Sequence, residues 1–239
     1  MISFNGVNMR YKDLVVMENF CEEFEENKVN CILGPSGCGK TTMLNLIGGI
    51  IDENSGKITK PGRVSYIFQD DSLIPQKTAR QNLELVLKSV YKSAAELRKA
   101  TDTFLELSEL YKAAELYPHE MSGGMRRRLA LIRAFAYQSD ILLMDEPFKA
   151  LDISLKDNII KSFLALHEKD KRTVLFVTHN IDEALLTGDF IHLYSGKPMS
   201  LQQKIAVNGE KRNRKIYDEN ITILKNEVYK QTEKWQLKN

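Results

Sequence analysis

The apolar run Val29-Asn30-Cys31-Ile32-Leu33 ends in Gly34-Pro35-Ser36-Gly37-Cys38-Gly39-Lys40-Thr41, the pattern G-x-x-x-x-G-K-[ST] set directly after an expected strand. The glycines allow backbone N–H groups to turn inward and approach phosphate oxygens with no Cβ in the way. The residues that follow, with Leu44, Leu46 and Ile47 available for burial, predict a helix whose N-terminal partial positive charge adds to the site. In such a unit Lys40 reaches the β- and γ-phosphates of a nucleotide and the Thr41 hydroxyl ligates Mg²⁺. A strand, a glycine-rich loop and a helix in that order commit the chain to an α/β architecture.

The remaining pattern agrees. Residues 2–33 read as strands, alternating over 3–9 and carrying Phe20 and Phe24 among acids over 16–24. Further apolar runs at 64–68, 141–144, 174–177 and 190–194 read as strands, with a helical segment at 155–169. Strands alternating with helices predict a mostly parallel sheet. From Thr78 to about Leu116 the spacing is helical, through Leu83, Leu85, Leu87, Leu97, Phe104 and Leu105, as in an inserted lobe that continues through a helix at 122–137. Residues 204–239 hold nine Lys/Arg and five Asp/Glu, a local 9 − 5 = +4 that leaves −2 for the first 203. Within this tail Tyr217, Ile221, Leu224, Val228 and Trp235 fall on one face of a helix, expected to dock on the domain rather than on a membrane surface. The basic run Lys211-Arg212-Asn213-Arg214-Lys215 is expected to be a solvated loop.

A loop that cradles phosphate needs a metal-binding acid, and Ile141-Leu142-Leu143-Met144-Asp145-Glu146 supplies an apolar strand ending in two carboxylates. Asp145 is placed to hold Mg²⁺ and Glu146 to polarise an attacking water. Pro147 predicts an extended backbone at Glu146. Cys38, in the loop at a helix N-terminus, is expected to have a lowered thiol pKa and to react faster than Cys21 and Cys31 in their strands.

Composition excludes other classes. The charge balance, 34 − 32 = +2, argues against a nucleic-acid partner. Three cysteines without a CxxC pair, and four histidines without HExxH spacing, support neither a disulfide framework nor a zinc site. No apolar run approaches the roughly 18 residues of a membrane span, and no leader pattern opens the chain. The expected location is cytoplasmic.

Met121-Ser122-Gly123-Gly124-Met125 opens a helix and is followed by Arg126-Arg127-Arg128, by themselves a solvated face. Together with the phosphate loop and Asp145-Glu146, this segment resembles the ATP-binding-cassette (ABC) ATPase family over nearly all of residues 1–200. The family signature is usually Leu-Ser-Gly-Gly-Gln; here Met121 and Met125 replace its outer residues. Met125, preceded by Tyr117-Pro118-His119-Glu120, is similar to the nitrate/sulfonate/taurine importer branch. The resemblance implies a P-loop NTPase core with a mostly parallel sheet, an antiparallel β subdomain and a helical lobe at about 78–137. It places the ATPase domain at 1–203 and a C-terminal extension with an amphipathic helix at 204–239. It implies an aromatic stacked on adenine at Tyr11, and nucleotide contacts along the loop from Gly34 through Thr41 and Thr42. It assigns Gln69 to sensing the γ-phosphate and its metal while facing a membrane partner. Ala150-Leu151-Asp152 matches the loop that communicates across a dimer, and His179 the histidine that contacts γ-phosphate.

The resemblance also implies a head-to-tail homodimer in which two ATP molecules lie between one subunit's phosphate loop and the other's Ser122-Gly123-Gly124. A helix N-terminus with free N–H groups is an anion site on physical grounds. The leading function is the ATP-hydrolysing, energy-coupling subunit of a membrane transporter, peripheral on the inner face of the cell membrane. Integral membrane permease subunits would be its partners and a solute-binding protein an indirect one. Import of small organic anions of the nitrate/sulfonate/taurine-like kind is favoured. The alternatives are a non-transport ABC ATPase acting in assembly or on nucleic acid, and an exporter ATPase.

Overall fold

The computed structural model describes residues 1–68, 72–149, 151 and 153–236. Strands β1 (Ile2–Tyr11) and β2 (Leu14–Phe24) form a hairpin in which Ile2 pairs with Phe24 and Tyr11 with Leu14. Lys12 turns the chain between them with φ 51°. Phe4, Val7, Phe20 and Phe24 are buried on one face. The five residues of β3 (Val29–Leu33) are all buried, as a strand covered on both faces requires. Helix α1 (Lys40–Gly48) follows the glycine-rich loop and buries Met43, Leu44, Leu46 and Ile47. Strand β4 (Ser55–Thr59) then adds to the free edge of β1, completing an antiparallel sheet in the order β2-β1-β4.

Strand β5 (Val64–Ile67) leads to the helical lobe: α2 (Ala79–Leu87), α3 (Ala94–Leu107) and α4 (Gly123–Ala136). Thr78 and Gln81 form a reciprocal capping box that starts α2. Leu83, Leu87, Leu105, Leu129 and Ile132 make a core of the lobe's own. The chain returns through β6 (Ile141–Asp145), α5 (Ile153–Lys169), β7 (Thr173–Val177), α6 (Ile181–Thr187), β8 (Phe190–Tyr194), β9 (Leu201–Ala206) and α7 (Glu219–Gln236). The second sheet runs β5-β6-β7-β3-β8-β9, parallel except for β9 against β8.

Strand alternation splits the core into two layers. Leu142, Met144, Val174 and Phe176 face α4, α5, α6 and α7 through Phe135, Phe163, Leu185 and Val228. Leu143, Leu175 and Val177 face the other way, onto α1 and the antiparallel sheet through Met43, Leu44, Phe4 and Phe20. Each such side chain contributes about 1.5–3 kcal/mol on burial, so both layers pin the strand ends that carry the site.

The tail departs from its sequence reading. Ile221 and Val228 are buried in the sheet's core and Leu224 packs against it, but Tyr217 precedes α7 and is 78% exposed. The side chain of Trp235 lies outside the described residues. The basic run is solvated only in part, with Arg212, Asn213 and Lys215 exposed. Arg214 is buried and donates to the carbonyls of Leu185, Gly188, Val207 and Gly209, while Lys211 pairs with Asp189 at 2.5 Å. A guanidinium whose fork is met by four carbonyls fastens the tail to the sheet.

Candidate functional site

The glycine-rich loop joins the end of β3 to α1, and two of its glycines are required by geometry. Gly37 has φ 75° and Gly39 φ 119°, and a Cβ on Gly39 would lie 2.7 Å from Val16 Cγ1 of β2. The loop therefore packs closely on the hairpin, where a side chain at position 39 would have no room. Lys40 folds back over it, its ammonium donating to the carbonyls of Gly34 at 2.7 Å and Pro35 at 2.8 Å.

Strand β6 ends beside this loop. Thr41 Oγ1 donates to Asp145 Oδ2 at 2.8 Å, joining residues 104 positions apart. Burial raises the Asp145 pKa and the neighbouring Glu146 charge adds to that, against the Thr41 hydrogen bond and the Lys40 charge. A buried carboxyl group beside a hydroxyl is a pair of hard oxygen donors suited to Mg²⁺. Among the described residues no group of three or more His, Cys, Asp or Glu could hold a metal by itself.

Glu146 does not have the extended backbone expected before Pro147; its φ is 47°. Tertiary hydrogen bonds override the local preference, since its N–H donates to Val177 O at 2.9 Å and its carbonyl accepts from the Lys149 N–H at 3.1 Å. Its carboxylate Oε1 lies 3.3 Å from His179 Nδ1, and Oε2 pairs with Lys149 Nζ at 2.7 Å. Partial burial pushes its pKa up, but Lys149 and His179 outweigh that and hold it below its ordinary value. An ionised carboxylate in this position can accept a proton from water. His179 lies between Thr178, whose Oγ1 donates to Glu183 Oε2 at 2.6 Å, and Asn180, whose side chain caps α6.

Tyr11, Ser36, Gly37, Gly39, Lys40, Thr41, Thr42, Asp145 and Glu146 line one open cleft. Tyr11 stands on its wall, 44% exposed. Lys197, in the turn between β8 and β9, also lines the cleft. It was missed because no motif marks it; only the fold brings that turn beside the loop. Gly34 and Cys38 belong to the loop but are buried, and Pro35 is partly so. Cys38 overturns its expectation: burial raises the thiol pKa more than Lys40 lowers it. Of the three cysteines, Cys21 is the exposed one.

Ser122, Gly123 and Gly124 do not line this cleft. They lie at the start of α4, with Ser122 and Gly123 exposed, and Ser122 Oγ accepts from the Met125 N–H at 3.2 Å. Met121 is buried in the lobe core and Met125 packs against it, so both replaced signature positions serve the lobe's interior. The following arginines are not a solvated face: Arg127 is buried, Arg126 donates to Met121 O, and Arg128 to Ser108 O and Glu109. A second recess, between β5 and the lobe, is lined by Tyr66, Phe68, Val86, Ala130 and Arg133, with Tyr66 and Phe68 stacked at 4.1 Å. Gln69, Ala150 and Asp152 lie outside the described residues. No helix among the described residues is long and apolar enough to cross a membrane.

Residues 17–149 match the family model described as ABC transporter. The chain is 36% identical over 194 residues to the nitrate import ATP-binding protein of Synechococcus elongatus, covering 77% of this chain and 71% of that one. It is 32% identical over 233 residues to the sulfate/thiosulfate import ATP-binding protein of Shewanella oneidensis, covering 91% and 62%. A dimeric ATP-binding cassette in a post-hydrolysis state bound to ADP and Pi superimposes with a TM-score of 0.78 at 30% identity, covering 88% of this chain and all of that one.

Proposed function

The chain belongs to the ABC transporter family as an ATP-binding, ATP-hydrolysing subunit, and from that premise we propose that it is the energy-coupling component of an importer of small anions. The observation that carries the site assignment is the convergence of Thr41, Asp145 and Glu146 beside the glycine-rich loop. In this reading the loop amides from Gly34 to Thr42 and the Lys40 ammonium hold the phosphates, and Tyr11 stacks on adenine. Lys40 exchanges the carbonyls of Gly34 and Pro35 for phosphate oxygens, a like-for-like replacement of acceptors. Thr41 and Asp145, with Gln69, would hold Mg²⁺, which when bound neutralises charge on the phosphate oxygens. Glu146 takes the proton of the attacking water, and His179 orients that carboxylate while facing the γ-phosphate.

The exposed N-terminus of α4 supplies the other half of a composite site. Its N–H groups at 122–124 lie outside their own cleft, so they serve the nucleotide of a second, head-to-tail copy, with Asp152 communicating across that interface. The recess at Tyr66 and Phe68 is the surface for an integral membrane permease, with Gln69 next to it in sequence. The chain is then peripheral on the inner face of the membrane, and a solute-binding protein is an indirect partner. Nitrate and sulfate/thiosulfate import relatives support an anionic solute of the nitrate/sulfonate/taurine-like class.

Mixing two inactive variants tests the composite site. Lys40→Ala disables the loop half and Ser122→Arg the signature half. Each alone should form no ATP-dependent dimer by light scattering, while the mixture should recover one, because one whole site survives in the mixed pair. A mixture behaving as the average of its components refutes the head-to-tail arrangement.

A further inference from the structure

Arg127 lies within the first turns of α4 and is 5% exposed. A guanidinium so buried needs its donors met. Nε donates to Pro147 O at 2.7 Å, Nη2 to Glu146 O at 3.0 Å and Nη1 to Phe68 O at 2.8 Å. None of these acceptors belongs to its own helix. Glu146 and Pro147 are the two residues after β6, and Phe68 is the residue after β5. The planar fork therefore fixes three carbonyl directions from two strand ends at once.

One of those carbonyls belongs to the residue in the left-handed conformation. A non-glycine residue at φ 47° persists only where its surroundings over-determine it. The Glu146 N–H is fastened to β7 through Val177 O, and its carbonyl to α4 through Arg127 and to the following turn through the Lys149 N–H. Removing the guanidinium frees the α4 side of that peptide while leaving the β7 side tied. The neighbouring arginines run elsewhere, Arg126 to Met121 O and Arg128 to Ser108 O.

We propose that Arg127 is a positioning residue that aims the Glu146 carboxylate and makes that aim depend on where α4 and the end of β5 stand. The inference rests on Glu146 being the proton acceptor. Helix α4 begins with the exposed signature residues, and β5 ends at the recess of Tyr66 and Phe68. A shift of either element moves Arg127 or one of its acceptors, so contact at both surfaces is read at one peptide group.

The test uses the full chain and four variants. Arg127→Gln should lower kcat on the order of 10–100-fold, the cost of misplacing a catalytic group by about an ångström, with KM for MgATP within about threefold. Arg127→Lys keeps the cation but offers a point donor in place of a fork, and should fall between Arg127→Gln and the parent. In the Glu146→Gln background, Arg127→Gln should change single-turnover hydrolysis by less than about twofold, because the group it aims is already gone. Arg172→Gln removes another buried guanidinium, one that holds Tyr137 O at 2.9 Å and Ser139 Oγ at 3.1 Å, and should lower thermal stability with kcat retained. Parental kcat in folded Arg127→Gln, or an equal loss in both backgrounds, overturns the proposal. If Arg127→Gln does not fold, parental kcat in Arg127→Lys overturns it. Parental turnover in Glu146→Gln alone would instead sink the base assignment on which the proposal stands.

Discussion

Replacing Glu146 by Gln keeps the side chain's shape and removes its ability to hold a full negative charge or accept a proton. Its pKa is held below the ordinary 4.5, so at neutral pH the parent carboxylate is ionised and the substitution deletes a charge. Two groups feel the loss, Lys149 at 2.7 Å and His179 at 3.3 Å, with side chains 48% and 64% exposed. Ion pairs that open to water contribute at most about 1 kcal/mol. With two such pairs, at most about 2 kcal/mol in a chain of this size, the shift in Tm is no more than about 8 °C. General-base assistance contributes about 10²–10⁴-fold, or about 2.7–5.4 kcal/mol of barrier. The fold and the chemistry therefore separate: turnover should fall by at least about a hundredfold while thermal unfolding stays within that shift and nucleotide binding near the parent's. Steady-state phosphate release, equilibrium binding of a fluorescent ATP analogue and a melting curve on the same preparation make the comparison. The acid limb of the parent's kcat/KM should also lie below pH 4.5, since a lowered pKa keeps the base ionised to lower pH. A folded variant that releases phosphate within about threefold of the parent rate refutes the assignment, because no general base contributes so little.

Two further outcomes follow from burial. Native alkylation at pH 8 should label the exposed Cys21 first and leave Cys38 and Cys31, whose thiols burial raises, the latter to about 12, until the chain unfolds; rapid labelling of Cys38 that MgATP prevents would restore the helix-terminus expectation. Burial lowers the pKa of His167 below its ordinary 6.5, against the hydrogen bond to Arg172 O that raises it. The unfolded chain takes up that proton first, so stability is full above 6.5 and is lost as pH falls toward the folded value, by at most about 1.4 kcal/mol per pH unit. Urea midpoints between pH 7 and 5 should show that slope in the parent and a flatter one in His167→Gln, and identical slopes count against a buried neutral imidazole.

Strands were legible where both faces are buried, at 29–33, 141–145 and 173–177, because a covered parallel strand must be apolar throughout, and where one face alternates with the other, as in β1 and β2. Strands β4 and β9 were missed for the opposite reason. Both lie at sheet edges with mostly exposed, polar side chains, and only backbone pairing to β1 and β8 makes them strands. Helix α6 was missed because it is a single short segment whose start is set by the Asn180 cap rather than by periodicity.

For the candidate site, the sequence alone singled out the glycine-rich loop, the carboxylates Asp145 and Glu146, and Ser122-Gly123-Gly124. Each depends on residue type and local spacing: glycines that permit positive φ, a lysine and threonine opening a helix, acids closing an apolar strand. Tertiary structure alone decided the rest. It brought Thr41 and Asp145 together across 104 residues, turned Glu146 left-handed against the preference imposed by Pro147, and buried Cys38 where a helix terminus predicted a reactive thiol. It also made Arg127 and Arg214 internal clamps where the sequence offered only basic runs. A charge's partners, and whether water reaches it, are properties of distant chain segments. No local pattern of residues encodes them.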